Sequence, residues 1–367
     1  MRILHVNSYY AAGNFYKNLF DNQVKTGLDI KVYVPVSKNL IYKKDYGDYT
    51  TVSYNHGKYD RIFFHLKHYK IWQDFLNKIN YKNYDIVHAH SLFSNGYIAY
   101  KLNKKHNIPY IVAVRDTDTN IFFKRMIHLR PLGVDILKRA SKVIFLSESY
   151  RDNTIDKYIP KKLQKEIKQK SHVIPNGIDD YWLNNKQQKK SRKNKRLSLV
   201  FTGSISARKN VLRSIATCKV LKNRGYDVTL TIIGPIKNKK IYHKFKDEPL
   251  VDYVGEKTKE EIKRIYQTKD IFVMPSIRET FGLVYAEAMS QSLPVIYTEG
   301  QGFDCQFKEG TVGYHVKSKD ENDIADKIEL ILKNYDVIAK NCYNNVGKYN
   351  WQDIALTYKK VYSEVEK

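Results

Sequence analysis

The chain alternates short apolar runs with longer segments in which polar and apolar residues are mixed. The runs are too short for helices, while the segments between them have helical length, and this alternation is typical of parallel strands joined by helices. The sequence therefore predicts an α/β protein with doubly wound parallel sheets. The runs cover residues 3–6, 30–34, 85–90, 110–114 and 142–146, and then 197–203, 228–234, 271–276 and 294–297.

A polar segment separates the two series of strands. Residues 186–196 contain no apolar side chain and seven basic ones, so they cannot enter a core and are typical of a linker. At 367 residues the chain is also too long for one ordinary core. We therefore predict two Rossmann-like domains, residues 1–185 and 197–367, which face each other across a cleft. The apolar spacing in residues 350–362 predicts an amphipathic, docked terminal helix.

Composition excludes several classes of protein. Hydrophobic residues make up 42% and aromatic residues 13%, which is enough to fill two cores and excludes a disordered chain. We find neither a membrane-spanning run nor a signal-peptide core, so we expect a protein that is cytoplasmic or peripheral on the inner face of a membrane. The three cysteines are far apart, which argues against a disulfide framework and a zinc site.

Positive charge is the most unusual bulk property. The chain has 64 basic and 38 acidic residues, a net charge of +26, and most of the excess precedes residue 186. Such a field favours anionic partners, including phospholipid head groups and lipid-linked pyrophosphates. The alternative is that Lys, Asn, Tyr and Ile are abundant together because the genome is AT-rich. No nucleic-acid recognition motif is present, so we expect no nucleic-acid partner.

Two carboxylates follow the apolar run at 271–276. Glu279 lies in the predicted loop and Glu287 in the helix that Gly282 introduces. Ligands of open α/β sheets bind at the carboxyl ends of strands, where helix N-termini attract anionic groups. Carboxylates beside an anion site suit a ligand with both hydroxyls and phosphates, such as a nucleotide sugar.

A second candidate loop follows the run at 197–203. Gly203 and Ser204 are small enough to let backbone N–H groups approach a phosphate. Arg208 and Lys209 supply adjacent cations that could neutralise a departing diphosphate. We expect Lys209 to be the more important of the two.

The segments 275–283, 286–289 and 293–296 together resemble the donor-site signature of the retaining GT-B glycosyltransferases, the glycogen-synthase-like group 1 family. That signature has two glutamates separated by seven residues. The family loop with glycine-arginine, four residues and lysine is matched here at Lys209, but Ser204 replaces the arginine. The resemblance implies that Glu279 binds hydroxyls of the donor sugar and that Glu287 holds the nucleotide ribose.

The resemblance extends to other donor contacts. It implies that the backbone of Phe281, Gly282 and Leu283 lies against the sugar and phosphate. Gly234 and Val254 are candidate walls of the base pocket, and either could be an ordinary strand end. In the first half, Gly13 occupies the place of the family's glycine-rich loop near the donor phosphates.

The first half also offers acceptor-side candidates after the run at 110–114, where many relatives have a histidine. Arg115 could act as an electrostatic clamp, and Asp116 or Asp118 could orient the acceptor. Asp116 and Asp118 also match the DxD metal motif of the other major glycosyltransferase fold, but the tripeptide is common and we predict no metal.

His88 and His90 point to the same face of a strand and would need a third ligand for zinc. They are therefore predicted to lie in the core or to line the cleft, and His90 is a further acceptor-side candidate. Residues 61–72 mix aromatic and cationic side chains, which suits either contact with a membrane surface or a helix packed on the sheet.

The resemblance implies a metal-independent, retaining glycosyltransferase that requires no cofactor. It would move a sugar from a nucleotide diphosphate sugar, UDP-linked, to a glycan or lipid-linked acceptor, in assembly of a cell-surface polysaccharide. A UDP-sugar epimerase of the same fold remains an alternative. A nucleic-acid-binding protein would explain the charge but would leave Glu279 and Glu287 unexplained.

Overall fold

The computed structural model describes residues 1–13, 15–39, 45–57, 59–61, 63–188 and 196–365. Most of the linker predicted at 186–196 therefore lies outside the described residues. Contacts divide the chain into two compact units. Unit 1 comprises Met1–Leu146, Arg151–Gly177 and Trp351–Lys367, and unit 2 comprises Ser147–Tyr150 and Ile178–Asn350.

Unit 1 contains a parallel sheet of seven strands in the order β3-β2-β1-β4-β5-β6-β7. The strand order reverses beside β1, which pairs with both β2 and β4. The strands are β1 (Arg2–Val6), β2 (Asp29–Ser37), β3 (Thr50–His56), β4 (Ile86–Ala89), β5 (Tyr110–Ala113), β6 (Lys142–Phe145) and β7 (Ser171–Val173).

Helices connect most of these parallel strands, although no helix is described between β2 and β3. A turn of π-helix at Asp118–Phe123 follows β5, and short 3₁₀ helices occur at Tyr10–Ala12, Tyr59–Arg61, Tyr81–Asn83 and Ile127–Leu129. The α-helices are α1 (Phe15–Lys25), α2 (Phe64–Lys78), α3 (Gly96–His106), α4 (Arg130–Arg139), α5 (Glu148–Tyr158) and α6 (Lys161–Gln169).

The chain returns to unit 1 at its end. Trp351, Tyr358 and Tyr362 are buried in the same core as residues of β1, β2 and α1. Trp351 also explains the glycine at position 177, because a Cβ at Gly177 would lie 2.4 Å from the indole ring. A glycine is therefore required where this helix closes the core.

Unit 2 contains a parallel sheet of six strands in the order β10-β9-β8-β11-β12-β13. Short 3₁₀ helices lie at Ala207–Lys209 and Val346–Tyr349. The strands are β8 (Leu197–Thr202), β9 (Val228–Ile233), β10 (Val251–Gly255), β11 (Ile271–Val273), β12 (Val295–Thr298) and β13 (Gly313–Val316).

The helices of unit 2 cover its sheet. Within the described residues of both units, no helix combines the length and apolarity needed to span a bilayer. The helices of unit 2 are α7 (Asp180–Asn184), α8 (Val211–Asn223), α9 (Lys239–Tyr242), α10 (Lys259–Gln267), α11 (Leu283–Met289), α12 (Glu321–Lys333) and α13 (Tyr335–Asn345), and the helix that returns to unit 1 is α14 (Trp351–Ser363).

The structure differs from the sequence prediction at the sheet edges and at the domain boundary. The edge strands β3, β7, β10 and β13 carry polar residues on a partly exposed ladder, so they lack the apolar runs by which strands were recognised. Residues 178–185, predicted in the first domain, belong to unit 2. Asp179 caps α7 there, and the Trp182 ring stacks 5.9 Å from Tyr266.

Candidate functional site

The loop after β8 carries the two candidate cations. It forms a 3₁₀ turn and ends at Asn210, whose left-handed φ of 61° leads into α8. The Asn210 amide donates hydrogen bonds to the Pro275 carbonyl at 2.8 Å and to the Ser318 carbonyl at 2.6 Å. The loop is therefore tied to the segments that follow β11 and β13, and all three meet at the carboxyl edge of the sheet.

Lys209 and Glu279 form the centre of this site. The Lys209 Nζ lies 2.5 Å from the Glu279 Oε2, and the two side chains are only 11% and 8% exposed. A buried charge is costly without a partner, so each of these groups offsets the desolvation of the other. The pair is the one that the sequence placed in donor binding, although its members are seventy residues apart.

Arg208 adds a second, more accessible cation. Its guanidinium lies 3.8 Å from the Glu279 Oε1, and its side chain is 42% exposed. It also donates to the Arg278 carbonyl at 3.2 Å. One carboxylate is thus shared by a buried ammonium and an exposed guanidinium, and the site keeps an excess positive charge.

The backbone around Glu279 is held by residues that the sequence did not single out. Its N–H donates to the Gln301 Oε1 at 2.9 Å, and its carbonyl accepts from the Gly302 N–H at 3.1 Å. A Cβ at Gly302 would lie 1.9 Å from the Thr280 carbonyl oxygen, so only glycine fits. The available signal was the Gly300-Gln301-Gly302 turn after β12.

Gly282 introduces α11 as predicted. Its φ is 79°, and a Cβ there would lie 2.4 Å from the Tyr285 ring, so both backbone and packing favour glycine. The Phe281 side chain is buried against Tyr349, with ring centroids 5.6 Å apart, so only its backbone can face a ligand. Leu283 is the first residue of the helix.

Glu287 lies on α11 and is partly buried. Burial raises the pKa of its carboxyl to about 7; the nearby Asp179 also raises it, while Lys259 and Lys209 lower it. Lys259 and Asp179 are themselves ion-paired. The second glutamate is therefore surrounded by charges from three other elements, and the sequence identified neither Lys259 nor Asp179 as part of its surroundings.

The glycines after β8 and β9 touch each other. Gly234 has a φ of 134°, and a Cβ there would lie 2.4 Å from the Gly203 carbonyl oxygen. The Tyr253 hydroxyl donates to the Gly234 carbonyl at 2.9 Å, which connects this pair to the edge strand β10. Val254 follows Tyr253 near the end of that strand, and its part in a base pocket stays a prediction. Ser204 places its Oγ 3.3 Å from the Ser206 Oγ.

The acceptor-side candidates of unit 1 are directed inward. Arg115 is 7% exposed, and its Nε donates to the His90 carbonyl at 3.4 Å. The Asp118 carboxylate is fully buried and accepts from the backbone N–H groups of Leu92, Phe93 and Arg115 at 2.9 to 3.1 Å. These contacts account for the burial of Asp118 without a ligand. Asp116 is less buried and accepts from the Asn120 amide at 2.8 Å.

His90 belongs to a buried cluster with His5 and His88. The structure thus identifies His5 as the third imidazole, which the sequence analysis did not name. Their ligand nitrogens lie within 4.8 Å of one another. Burial lowers the pKa of His5 to about 3 and the pKa values of His88 and His90 well below the usual range.

Neutral imidazoles can bind a metal, but three ring nitrogens of the cluster are already engaged. The His5 Nδ1 lies 3.0 Å from the His90 Nε2, and the His88 Nδ1 lies 2.7 Å from the Tyr362 hydroxyl. The Arg115 charge also acts on His88 and His90 and would oppose a cation. This arrangement is better suited to core packing than to metal binding.

Gly13 has no packing role in the described residues. Its backbone is extended and exposed, with a φ of 174°, and a Cβ there would have nothing within 4 Å. Its predicted part in donor binding stays a prediction.

Comparison with known proteins accounts for both halves of the chain. Residues 184–350 match the family model described as Glycosyl transferases group 1, and residues 12–181 match Glycosyltransferase Family 4. An uncharacterized glycosyltransferase of Methanocaldococcus jannaschii is 24% identical over 375 residues, covering 100% of this chain and 99% of that protein. The capsular polysaccharide biosynthesis glycosyltransferase CapM of Staphylococcus aureus is 28% identical over 206 residues, 53% of this chain and 52% of that protein.

Solved structures share the fold at low sequence identity. Sucrose-phosphate synthase from Thermosynechococcus elongatus has a TM-score of 0.74 at 17% identity, over 99% of this chain and 98% of that one. HepE of Anabaena, in complex with UDP and glucose, has a TM-score of 0.67 at 16% identity, over 99% of this chain and 100% of that one. Two Rossmann-like parallel-sheet domains are thus confirmed as a GT-B fold.

Proposed function

We infer that this chain, which is a glycosyltransferase of the GT-B fold, transfers a sugar from a nucleotide diphosphate sugar to an acceptor hydroxyl with retention of anomeric configuration. The observation that carries this proposal is the buried Lys209–Glu279 pair at the carboxyl edge of the unit 2 sheet. When a ligand with both phosphates and hydroxyls binds, Lys209 and Glu279 can release each other and contact those groups instead.

The proposed chemistry depends on stabilising the departing diphosphate. Breaking the bond between the anomeric carbon and the phosphate oxygen leaves the electron pair on the diphosphate, and positioned cations stabilise that charge most strongly where water is excluded. Lys209 is buried and Arg208 is within reach of the same carboxylate, so both cations can turn to the diphosphate. Their charges supply the electrostatic stabilisation without a metal or another cofactor.

Glu279 then becomes available for the sugar. Once Lys209 contacts phosphate, the Glu279 carboxylate can accept hydrogen bonds from sugar hydroxyls, and charge-assisted bonds of this type are strong. Its backbone is held at both N–H and carbonyl, so the carboxylate is oriented before the ligand binds. Glu287 would accept from the ribose hydroxyls.

We propose UDP as the nucleotide and a glycan or lipid-linked acceptor in cell-surface polysaccharide assembly. HepE was crystallised with UDP and glucose, and CapM is described as a capsular polysaccharide enzyme, which supports both parts of this proposal. The net charge of +26 supports an anionic acceptor at a membrane surface.

Calorimetry with UDP, GDP and ADP tests nucleotide choice, and release of nucleotide in an acceptor screen tests transfer. We expect Lys209→Met/Glu279→Gln to lower turnover by at least about 100-fold, the usual effect of losing one such stabilising contact. Arg224→Met/Asp326→Asn removes an ion pair of 2.7 Å elsewhere in unit 2 and serves as the matched control.

Unchanged turnover in the double variant contradicts the proposed site. Consumption of the UDP-sugar without any acceptor, with a second UDP-sugar as the product, would instead indicate an epimerase.

A further inference from the structure

Unit 1 has a cavity of about 510 Å³ at the carboxyl ends of its central strands. Ser8 follows β1, Ser37 ends β2, His56 ends β3 and Asn95 follows β4, and all four line the cavity. The Asn95 Oδ1 accepts from the Ser8 N–H at 3.1 Å, which joins the two loops where the strand order reverses. In doubly wound sheets this is the position at which ligands bind.

Two segments with apolar side chains form the walls of the cavity. Phe64 and Ile71 come from α2, and Ile121, Phe122 and Met126 come from the segment after β5. The Phe64 and Phe122 rings are 5.8 Å apart, so the two walls are in contact. The cavity therefore has a polar end at the strands and an apolar remainder.

The charged lining of the cavity is cationic. Lys67 lines it, and none of the described residues around it is an aspartate or a glutamate. Burial lowers the pKa of His68 to about 3, whereas the contacts of its two nitrogens with the carbonyls of Phe64 and Ser94, at 2.7 Å and 3.1 Å, raise it. In either protonation state this side chain adds no negative charge to the lining. The ammonium of Lys67 therefore favours a ligand with an anionic head group.

Exposed apolar side chains occur in the two wall segments, each within three residues of one that lines the cavity. We refer to them as the apolar rim: Phe63 (64% exposed), Leu66 (46%), Tyr69 (57%), Ile121 (42%) and Ile127 (61%). The inward face of α2 is apolar too, with Phe64, Ile71, Trp72 and Phe75 buried.

A surface helix of a water-soluble domain normally presents polar residues outward. The outward face of α2 instead interleaves the apolar rim with Lys67 and with Lys70, which is ion-paired with Asp60 at 2.9 Å. Lys124 and Arg125 are exposed beside Ile121 and Ile127. Apolar side chains interleaved with cations are typical of a surface that rests in the interface of an anionic bilayer.

We propose that this cavity and the apolar rim bind the acceptor as a lipid held in an anionic bilayer. The head group enters the cavity beside Lys67, while the rim rests in the boundary between head groups and acyl chains. The acceptor role rests on the proposed glycosyltransferase reaction; the contact with the bilayer does not.

Sedimentation with vesicles tests the rim. Vesicles of phosphatidylglycerol and phosphatidylcholine should retain the protein at physiological salt, and Phe63→Ser/Leu66→Ser should lower the bound fraction by at least about tenfold. Val337→Ser/Leu356→Ser removes two apolar side chains of similar exposed fraction, 63% and 41%, outside the rim and should bind like the unaltered protein. Circular dichroism checks that each variant folds.

Two results would overturn the inference about the bilayer. One is a wild-type protein that stays in the supernatant, and the other is a Phe63→Ser/Leu66→Ser variant that sediments as well as the wild type. If the second result is accompanied by loss of sedimentation in Lys124→Gln/Arg125→Gln, the contact with the vesicles is purely electrostatic.

Dodecyl phosphate below its micellar concentration tests the cavity. It should raise the melting temperature of the wild type, and Lys67→Gln should abolish that increase, whereas dodecyl maltoside at equal concentration should have little effect. Equal shifts with both amphiphiles would contradict an anionic head group. UDP calorimetry separates the two proposals: absent UDP binding sinks the proposed function, while intact UDP binding with no lipid effect sinks only this inference.

Discussion

Both units place charged side chains in the loop after a central strand, but they use those charges differently. In unit 2, the Lys209 ammonium is balanced by the side chain of Glu279, with the exposed Arg208 beside them. In unit 1, the Asp118 carboxylate is balanced by three backbone N–H groups. A side-chain partner can rotate away and let a ligand take its place. Backbone N–H groups cannot move in this way unless the loop unfolds.

The comparison separates charges suited to ligand binding from charges that stabilise a loop, both at the carboxyl ends of strands. Buried charges are expensive in either unit, so both need partners. A charge whose partner is a side chain can therefore exchange that partner for a ligand, and a charge whose partners are backbone groups cannot. On this basis we assign the Lys209–Glu279 pair to ligand binding and Asp118 to the structure of its loop.

The largest effect is expected when one carboxylate in each unit is replaced by an amide. Glu279→Gln should lower nucleotide-sugar turnover by about 100-fold, because Lys209 loses its charged partner and the donor loses a charged acceptor. Asp118→Asn should lower the free energy of unfolding by about 2 to 3 kcal/mol, since an NH₂ group then faces a backbone donor. Urea unfolding and UDP calorimetry on both variants measure the two effects.

Asp118→Asn should leave the affinity for UDP within about twofold, because removing a group outside the contact region changes binding little. A large loss of UDP affinity with unchanged stability would mean that Asp118 takes part in binding and that the comparison is wrong.

A smaller effect is expected where α14 enters the core of unit 1. The Tyr362 hydroxyl lies 2.7 Å from the His88 Nδ1 and accepts from the Gln23 Nε2 at 3.0 Å. Tyr362→Phe leaves both groups buried without this partner and should cost about 1 to 2 kcal/mol. We expect a melting temperature lower by about 2 to 4 °C, measured by calorimetry.

Tyr54→Phe changes a ring that is 39% exposed and is the matched control for this experiment. Equal melting temperatures for Tyr362→Phe and the wild type would show that the buried hydroxyl contributes nothing to holding α14 in place.

The smallest effect concerns Glu287 and depends on pH. Because the pKa of this carboxyl is about 7 in the folded protein, against 4.5 for an unperturbed glutamate, folding favours its protonated form. Stability contributed by this group is therefore present at low pH and is lost as the pH rises from 4.5 to about 7. Glu287→Gln avoids that loss.

We expect the melting temperature of Glu287→Gln, relative to the wild type, to increase by about 1 to 2 °C between pH 5 and pH 8. Thermal denaturation at both pH values measures the difference, and the exposed Glu260→Gln on α10 is the control. A difference that is constant or that falls with pH contradicts the raised pKa.

The interior strands and part of the candidate site could be predicted from the sequence for the same reason. Strands such as β5 and β8 are buried on both faces, so each is a nearly continuous apolar run. Lys209 and Glu279 follow such strands directly, and their positions at the carboxyl edge follow from the parallel arrangement. The edge strand β3 could not be predicted, because its residues Thr50–His56 include only one aliphatic side chain.

The residues that hydrogen-bond to the candidate site could not be predicted from the sequence. Gln301 and Asn210 are ordinary polar residues, and only folding brings the Gln301 side chain to the Glu279 N–H and the Asn210 amide to two distant carbonyls. The sequence analysis likewise did not identify His5, although it completes the cluster with His88 and His90. These contacts join segments far apart in the chain, which carry no local signal.

The sequence by itself determined the class of the fold, the positions of its interior strands along the chain and the residues that follow their carboxyl ends, because these depend on local apolar patterning. Only the tertiary structure decided which charged groups find side chains and which find backbone, where α14 is buried, and that a cavity with an apolar rim opens in unit 1. Those outcomes depend on distances between remote segments, which a pattern of neighbouring residues does not contain.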